Sequence, residues 1–161
     1  MVPGTRREVT SNIDLAPTFE ELAGLRPAPY RAGTSLVPTF GDRRLVRRGH
    51  AFFEHTQQTL TGTDPDAAFS GTEMERIPSY TAVRSRTGLL VRLDLDPRRT
   101  KQQWGYEFYS YQRHRFEKRN AFGARRHRAE VAALMAKLRA FDQCRQVGGE
   151  AVSRSCRDLT R

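Results

Sequence analysis

The stretch "SNIDLAPTFEELAGL", residues 11–25, carries the best-specified helix start and stop in the chain. Ser11 and Asp14 stand three apart, a near capping box in which a side-chain oxygen accepts an orphan backbone N–H. The other arrangement makes Asp14 itself the N-cap and puts Pro17 in the first turn, where a missing N–H costs little. The second is preferred, because a proline deeper in a helix breaks it. Leu15, Phe19, Leu22 and Ala23 then recur at helical spacing and make one apolar face. Gly24 can take the left-handed C-terminal position, and Pro27 forbids continuation. The spacing predicts a helix over 14–24. A helix this short is marginal alone, so its apolar face must dock on something larger.

Outward from this helix the chain changes character. Residues 1–10 are polar, with Pro3 and Gly4, and read as a connector. Residues 26–48 read as a loop: Pro27, Pro29 and Pro38 bias the residues before them to extended or turn conformations, with Leu36 and Phe40 expected to plug into a core. "GDRRLVRRGH" (41–50) is a basic connector and the expected boundary between a first unit, 1–48, and a second, 49–161.

The second unit alternates strands and turns. "HAFFEH" (50–55) reads as a strand, and 56–79 as a long polar connection of functional or disordered kind. "SYTAVRSRTGLLVRLDL" (79–95) is the clearest hairpin, with strands over 80–86 and 89–94, a turn at Thr87–Gly88, and Leu89, Val91 and Leu93 on one face. "WGYEFYSY" (104–111) is a third aromatic-rich strand segment. Val131, Leu134, Met135, Leu138 and Phe141 give the stripe of an amphipathic helix over 127–142, followed by a polar, flexible tail at 143–161. The expected fold class is α+β: a small antiparallel sheet covered by a C-terminal helix.

At 161 residues the chain is one domain's worth, with a mean hydropathy of −0.69 and no apolar run long enough to span a membrane. "MVPGTRREV" has no hydrophobic core of a secretory signal. The formal charge is +10, nearly all of it arginine. The arginines fall in dispersed pairs, Arg6–Arg7, Arg43–Arg44, Arg47–Arg48, Arg98–Arg99 and Arg125–Arg126, so a scattered solvated charge is favoured over one polyanion patch. Cys144 and Cys156 are the only cysteines, and no His or Cys stands at zinc spacing from either. A local disulfide, worth about 3 kcal/mol for such a loop, suits an exported protein; two free thiols suit a cytosolic one.

The wording of the chain resembles a known family. "TSNIDLAPTFEELAGLRPAPYRAGTSLVPTF" is similar to the segment that closes the catalytic domain in type I sulfatases, through Asn12, Ile13, Asp14, Leu15, Ala16, Pro17, Thr18, Leu22, Ala23 and Gly24, then Gly33, Ser35, Leu36 and Pro38. "FFEH", "YTAVRSRTGLLVRLD", "YEFYSYQRHRFEKRN" and "LRAFDQC" follow the order of a sulfatase C-terminal subdomain, nearest the N-acetylglucosamine-6-sulfatase-like branch. Tyr109-Ser110-Tyr111-Gln112-Arg113-His114 lacks the acidic pair usual there, while Glu117 and Asn120 keep the ending. The resemblance implies that residues 14–24 are the last helix of an alkaline-phosphatase-like α/β domain and that the chain begins in mid-motif. It also implies the chemistry of the family: a formylglycine made from a "C-x-P-x-R" cysteine and a divalent metal, typically calcium, held by Asp and Asn. Relatives are often secreted or periplasmic.

None of that machinery is written here. Cys144 is followed at those positions by Gln146 and Gly148, and Cys156 by Asp158 and Thr160, and no "D-N-G" metal motif exists. Ser11 and Asp14 are read as helix-capping residues. His50, His55, His114 and His127 are dispersed. The expected partner is a missing catalytic domain whose substrate cleft this subdomain borders, with sulfated carbohydrate as the ligand. His55, beside Glu54, and Arg84, on the hairpin, are the substrate-contact candidates. The chain alone is expected to be inactive. The alternative is a non-enzymatic basic module that binds sulfated polysaccharide or, less favoured, nucleic acid.

Overall fold

A computed structural model describes residues 3–5, 8–42, 44–45, 47, 49–56, 77–96, 101, 103–112, 116–144, 146–147, 151–152 and 159. The architecture is α+β. Strands β1 (His50–His55), β2 (Tyr80–Ser85), β3 (Gly88–Asp94) and β4 (Trp104–Ser110) form an antiparallel sheet in sequential order. The β2–β3 turn is Arg86–Thr87, one residue earlier than expected, since Arg84 opposes Leu89. Ser85 explains the shift. Its Oγ accepts the Thr87 N–H at 3.2 Å and the Gly88 N–H at 3.0 Å, which closes the turn before Gly88. Gly88 is needed in the strand, because a Cβ there would meet Phe108 Cε2 at 2.7 Å.

The core lies between this sheet and one helix, here called α3 (Arg128–Asp142), entered through a 3-10 turn at Arg125–His127. Val131, Leu134 and Leu138 of α3 pack on Val83, Leu90 and Phe108, one residue from each of β2, β3 and β4. Phe52 of β1 stacks on Phe141 of α3 with ring centroids 4.5 Å apart. The predicted helical stripe is therefore the stripe that meets the sheet. On β3, however, the helix-facing residue is Leu90, fully buried, while Leu89, Val91 and Leu93 lie on the opposite face. Every position from 89 to 91 is apolar, so alternation identifies two faces without saying which one meets the helix.

Polar ties fix the edges of this layer. Arg92 grips Asp142 at the end of α3 bidentately, Nη1 and Nη2 each 2.7 Å from a carboxylate oxygen. Asn120 secures the outer edge of β4: its Oδ1 accepts the Phe108 N–H at 3.0 Å and its Nδ2 donates to the Tyr106 carbonyl at 3.0 Å. The Ala121 N–H adds a bond to the Phe108 carbonyl at 2.8 Å, so the returning chain covers an edge that would otherwise be open.

Ahead of the sheet, a 3-10 turn (Asn12–Asp14) runs into α1 (Leu15–Leu22), and a short α2 (Val37–Gly41) forms within the stretch read as loop, with Pro38 in its first turn. Gly24 adopts φ 75° after α1, as the C-terminal signal required. The preferred cap assignment is corrected. Ser11 holds the extended N-cap geometry (φ −132°, ψ 160°), and Asp14 is already helical. Asp14 does not cap its own helix; its Oδ2 reaches back to the Ser11 N–H at 3.0 Å and its Oδ1 reaches across to the Thr34 N–H at 2.9 Å. Thr18 adds a second cross-link, donating to the Asp14 carbonyl at 2.5 Å and accepting the Leu36 N–H at 2.9 Å. What plugs this loop inward is small and polar, Gly33, Ser35 and Thr39; Leu36 and Phe40 are half-buried.

The tail, read as flexible, holds a short antiparallel ladder, β5 (Gln146–Val147) with β6 (Ala151–Val152). Cys144 is disulfide-bonded. Cys156, most of the long connection (57–76) and the Arg113–His114 departure lie outside the described residues.

Two substitutions test this packing by urea unfolding. Leu90→Ala is expected to cost about 3 kcal/mol and Leu89→Ala clearly less; equal losses would overturn the assignment of faces. Asp14→Ala, which strands the Thr34 and Ser11 N–H groups, is expected to cost about 3 kcal/mol, against a loss within about 0.5 kcal/mol if Asp14 were an ordinary surface residue.

Candidate functional site

Arg84 stands at the far end of β2, on the sheet face turned away from α3, because Val83 beside it must point into the core. Its guanidinium lies over the Tyr111 ring, 4.8 Å from the centroid. Arg84, Ser85, Arg86 and Tyr111 line a cavity of about 660 Å³ together with Phe53 and the incoming segment Glu8–Thr10. Two guanidinium groups thus border one polar cleft where the N-terminal segment meets the sheet. Tyr111 donates its hydroxyl proton to Glu117, the residue that keeps the family ending. Burial, and then that hydrogen bond, push the Tyr111 hydroxyl up to about 12, with Arg84 pulling the other way. The neutral phenol therefore serves as a fixed platform for the Arg84 cation.

His55 occupies the other end of the same face. It pairs with Tyr80, its ring 5.3 Å from the Tyr80 ring, while Arg84 pairs with Ala51. Four residues of extended strand separate Tyr80 from Arg84, roughly 13 Å. The structure does not bring the two substrate-contact candidates together. The cations and phenol around Arg84 form the better-defined cleft. Arg86 and Tyr111 were missed from sequence, and the signal that could have found them was the hairpin register.

A second feature is the surface of α1. Pro17 and Thr18 face the molecule, and the predicted apolar face does not. Leu15 is 47% exposed, Phe19 63% and Leu22 58%, and Ile13 and Leu25 continue the patch at 41% and 62%. The helix is held on the chain by its polar side, through Asp14 and Thr18. Its apolar side is open over five large residues. Within α1, Glu20 accepts from Arg31 Nη2 at 2.7 Å and from the Ala28 N–H at 3.2 Å, so the turn that follows the helix is braced as well.

The described residues do not fit the metal that the resemblance implies, and the sequence does not fit its nucleophile. Among the described residues no three His, Cys, Asp or Glu side chains converge to hold an ion. No cysteine of the chain is followed by Pro and Arg at the required positions.

No family model matches the sequence, and no curated protein does. Solved structures do share the fold. BT4656, solved in complex with its substrate D-glucosamine-2-N,6-O-disulfate, is 20% identical, with a TM-score of 0.61 over 81% of this chain and 23% of that one. The phosphonate monoester hydrolase of Agrobacterium radiobacter is 19% identical, with a TM-score of 0.60 over 84% of this chain and 25% of that one. Phosphonate monoester hydrolase SpPMH from Silicibacter pomeroyi is 19% identical, with a TM-score of 0.61 over 93% of this chain and 30% of that one. The chain spans under a third of the length of each. The fold implied by the resemblance to the rear portion of a sulfatase is the fold these proteins share with it.

A titration checks the phenol platform. Tyr109, half-buried and bonded to Glu107, is also pushed up to about 12 by partial desolvation and that hydrogen bond. Two of the five tyrosines are therefore expected to ionise late in the native protein. Because their native values are raised, the stability they contribute is complete below pH 10 and is lost between 10 and about 12. Tyrosinate absorbance of native and unfolded chain measures this; five tyrosines ionising together near their usual value would contradict it.

Proposed function

We propose that the chain is the C-terminal portion of a sulfatase-family sulfuric ester hydrolase, which braces a catalytic α/β domain and walls one side of its substrate cleft. The observation that carries this reading is the open apolar face of α1. Complete burial of one large aliphatic or aromatic side chain contributes about 1.5–3 kcal/mol. Five such side chains half in water are a seat for another body. A catalytic domain fits the seat, because α1 and the loop it grips carry the wording that closes such a domain. On this reading residues 1–48 belong to the end of the catalytic domain and 49–161 to its C-terminal subdomain.

The division of labour follows from the residues. Formylglycine and calcium, which supply the nucleophile and the electrophilic pull on sulfate, belong to the other part of the enzyme. This chain supplies shape and positive charge. Arg84, held on Tyr111, presents a cation to an anionic ester group, and Arg86 strengthens the field at the same cleft. His55, at the opposite end of the face, is the second candidate contact, roughly 13 Å away along the strand direction.

Two measurements test the proposal. The pure chain, assayed with calcium against an aryl sulfate and against glucosamine 6-sulfate, is expected to release no sulfate; metal-dependent release would overturn the division of labour. Phe19→Gln with Leu22→Gln is expected to leave the melting temperature of the isolated chain within a few degrees, since both side chains already face water. Joined to a catalytic half, the same pair is expected to lower it clearly. An equal effect in both settings would mean that α1 is not the seat.

A further inference from the structure

A second cavity, of about 1190 Å³, opens between Thr87 in the β2–β3 turn, the stretch that follows β4, and the start of α3. Lys118, Arg119 and Arg126 line it, and all three are exposed. None of them has a carboxylate partner among the described residues. Lys118 Nζ lies 5.5 Å from the centre of the Phe116 ring, and Arg126 Nε donates to His127 Nε2 at 3.0 Å. Glu130 is the one acid in the lining, and it is taken by the Thr87 hydroxyl and lies 3.7 Å from His127 Nδ1. Phe116 is 73% exposed at the same cavity, and Ser110 Oγ at its wall is buried without a hydrogen-bond partner. Arg125 and Arg128 add positive charge at the same end of α3, the end where the helix dipole is already positive. Charge of one sign has been collected here against its own repulsion.

We infer that this cleft binds a sulfated oligosaccharide, at a place separate from the Arg84 cleft. Separated cations along a cavity of this size match an anion with several spaced charges better than a single small ion. The Ser110 hydroxyl, which has no partner among the described residues, suits a hydroxyl-rich ligand, and the open Phe116 ring offers a flat apolar surface for the face of a sugar. Single-stranded nucleic acid is the poorer fit, because its binders stack successive bases on successive exposed aromatic rings, and of the described rings in this lining Phe116 is open while Tyr109 is half-buried. The inference stands apart from the sulfatase reading, since it requires neither a catalytic half nor turnover.

The test compares two charge-matched double variants of the full chain by titration calorimetry. One is Arg119→Gln with Arg126→Gln, in the cleft; the other is Arg26→Gln with Arg139→Gln, exposed and outside it. The probes are a short heparin oligosaccharide, its desulfated counterpart, and a single-stranded oligonucleotide of equal charge. For the sulfated probe, the cleft variant is expected to bind about tenfold more weakly, and the slope of log K against log salt to fall by about two; the outside variant is expected to change affinity less than about twofold. Phe116→Ala is expected to weaken binding and leave the salt slope unchanged. Equal losses in the two double variants would mean diffuse attraction to net charge and would overturn the inference. So would equal binding of the desulfated probe, or an oligonucleotide bound as tightly as the heparin fragment.

Discussion

A single buried carboxylate organises everything ahead of the sheet. Asp14 is fully shielded from water, and an ionised group in that position must be surrounded by donors or it destabilises the fold. Its donors come from separate places in the chain: the Ser11 N–H just before it and the Thr34 N–H twenty residues on. Arg47 approaches from the connector, its Nη2 3.8 Å from Asp14 Oδ1 and 2.6 Å from the Thr34 carbonyl. Gly33 makes this geometry reachable, since a Cβ there would sit 2.0 Å from the Ile13 carbonyl oxygen. One charge therefore fixes the path of the loop, the orientation of α1 and the entry into β1. It also dictates that α1 turns its polar side inward, and the open apolar face is the consequence.

The sheet obeys a different rule. Its centre is hydrophobic contact between α3 and strands β2, β3 and β4, and its margins are polar. Arg92 ties the last turn of α3 to β3, the hydrogen bond to Asp142 raising its already high pKa, and its guanidinium also covers Trp104 at 4.6 Å. Asn120 closes β4. Arginine is suited to such work because its planar fork can hold a carboxylate while its face lies on an aromatic ring. Part of the large arginine content is thus structural.

Much of this was legible from residue patterns. The stripe of α3 was readable because Val131, Leu134 and Leu138 repeat at helical spacing with charged residues between them. The hairpin was readable because two apolar runs flank a short polar turn. The wording around Asp14 pointed to the shared fold. Other features were hidden for physical reasons. Ser85 moved the turn through a side-chain hydrogen bond that strand alternation does not encode. Asp14 gained its role from Thr34 and Arg47, contacts invisible to a reading within one helix. The lining of both clefts joins residues far apart in sequence, Glu8 with Arg84 and Thr87 with Arg126, so only the folded chain assembles them. His55 and Arg84 were both readable as polar strand residues, but their separation depends on register.

The strand order carries a last consequence. Each strand pairs with its neighbour in sequence, and the helix that covers them follows without returning through the sheet. From β2 to β4 the connections are short, so little loop-closure entropy is spent before contacts form, which favours rapid assembly of that part. Such a layer can close on its own contacts as soon as α3 has been synthesised.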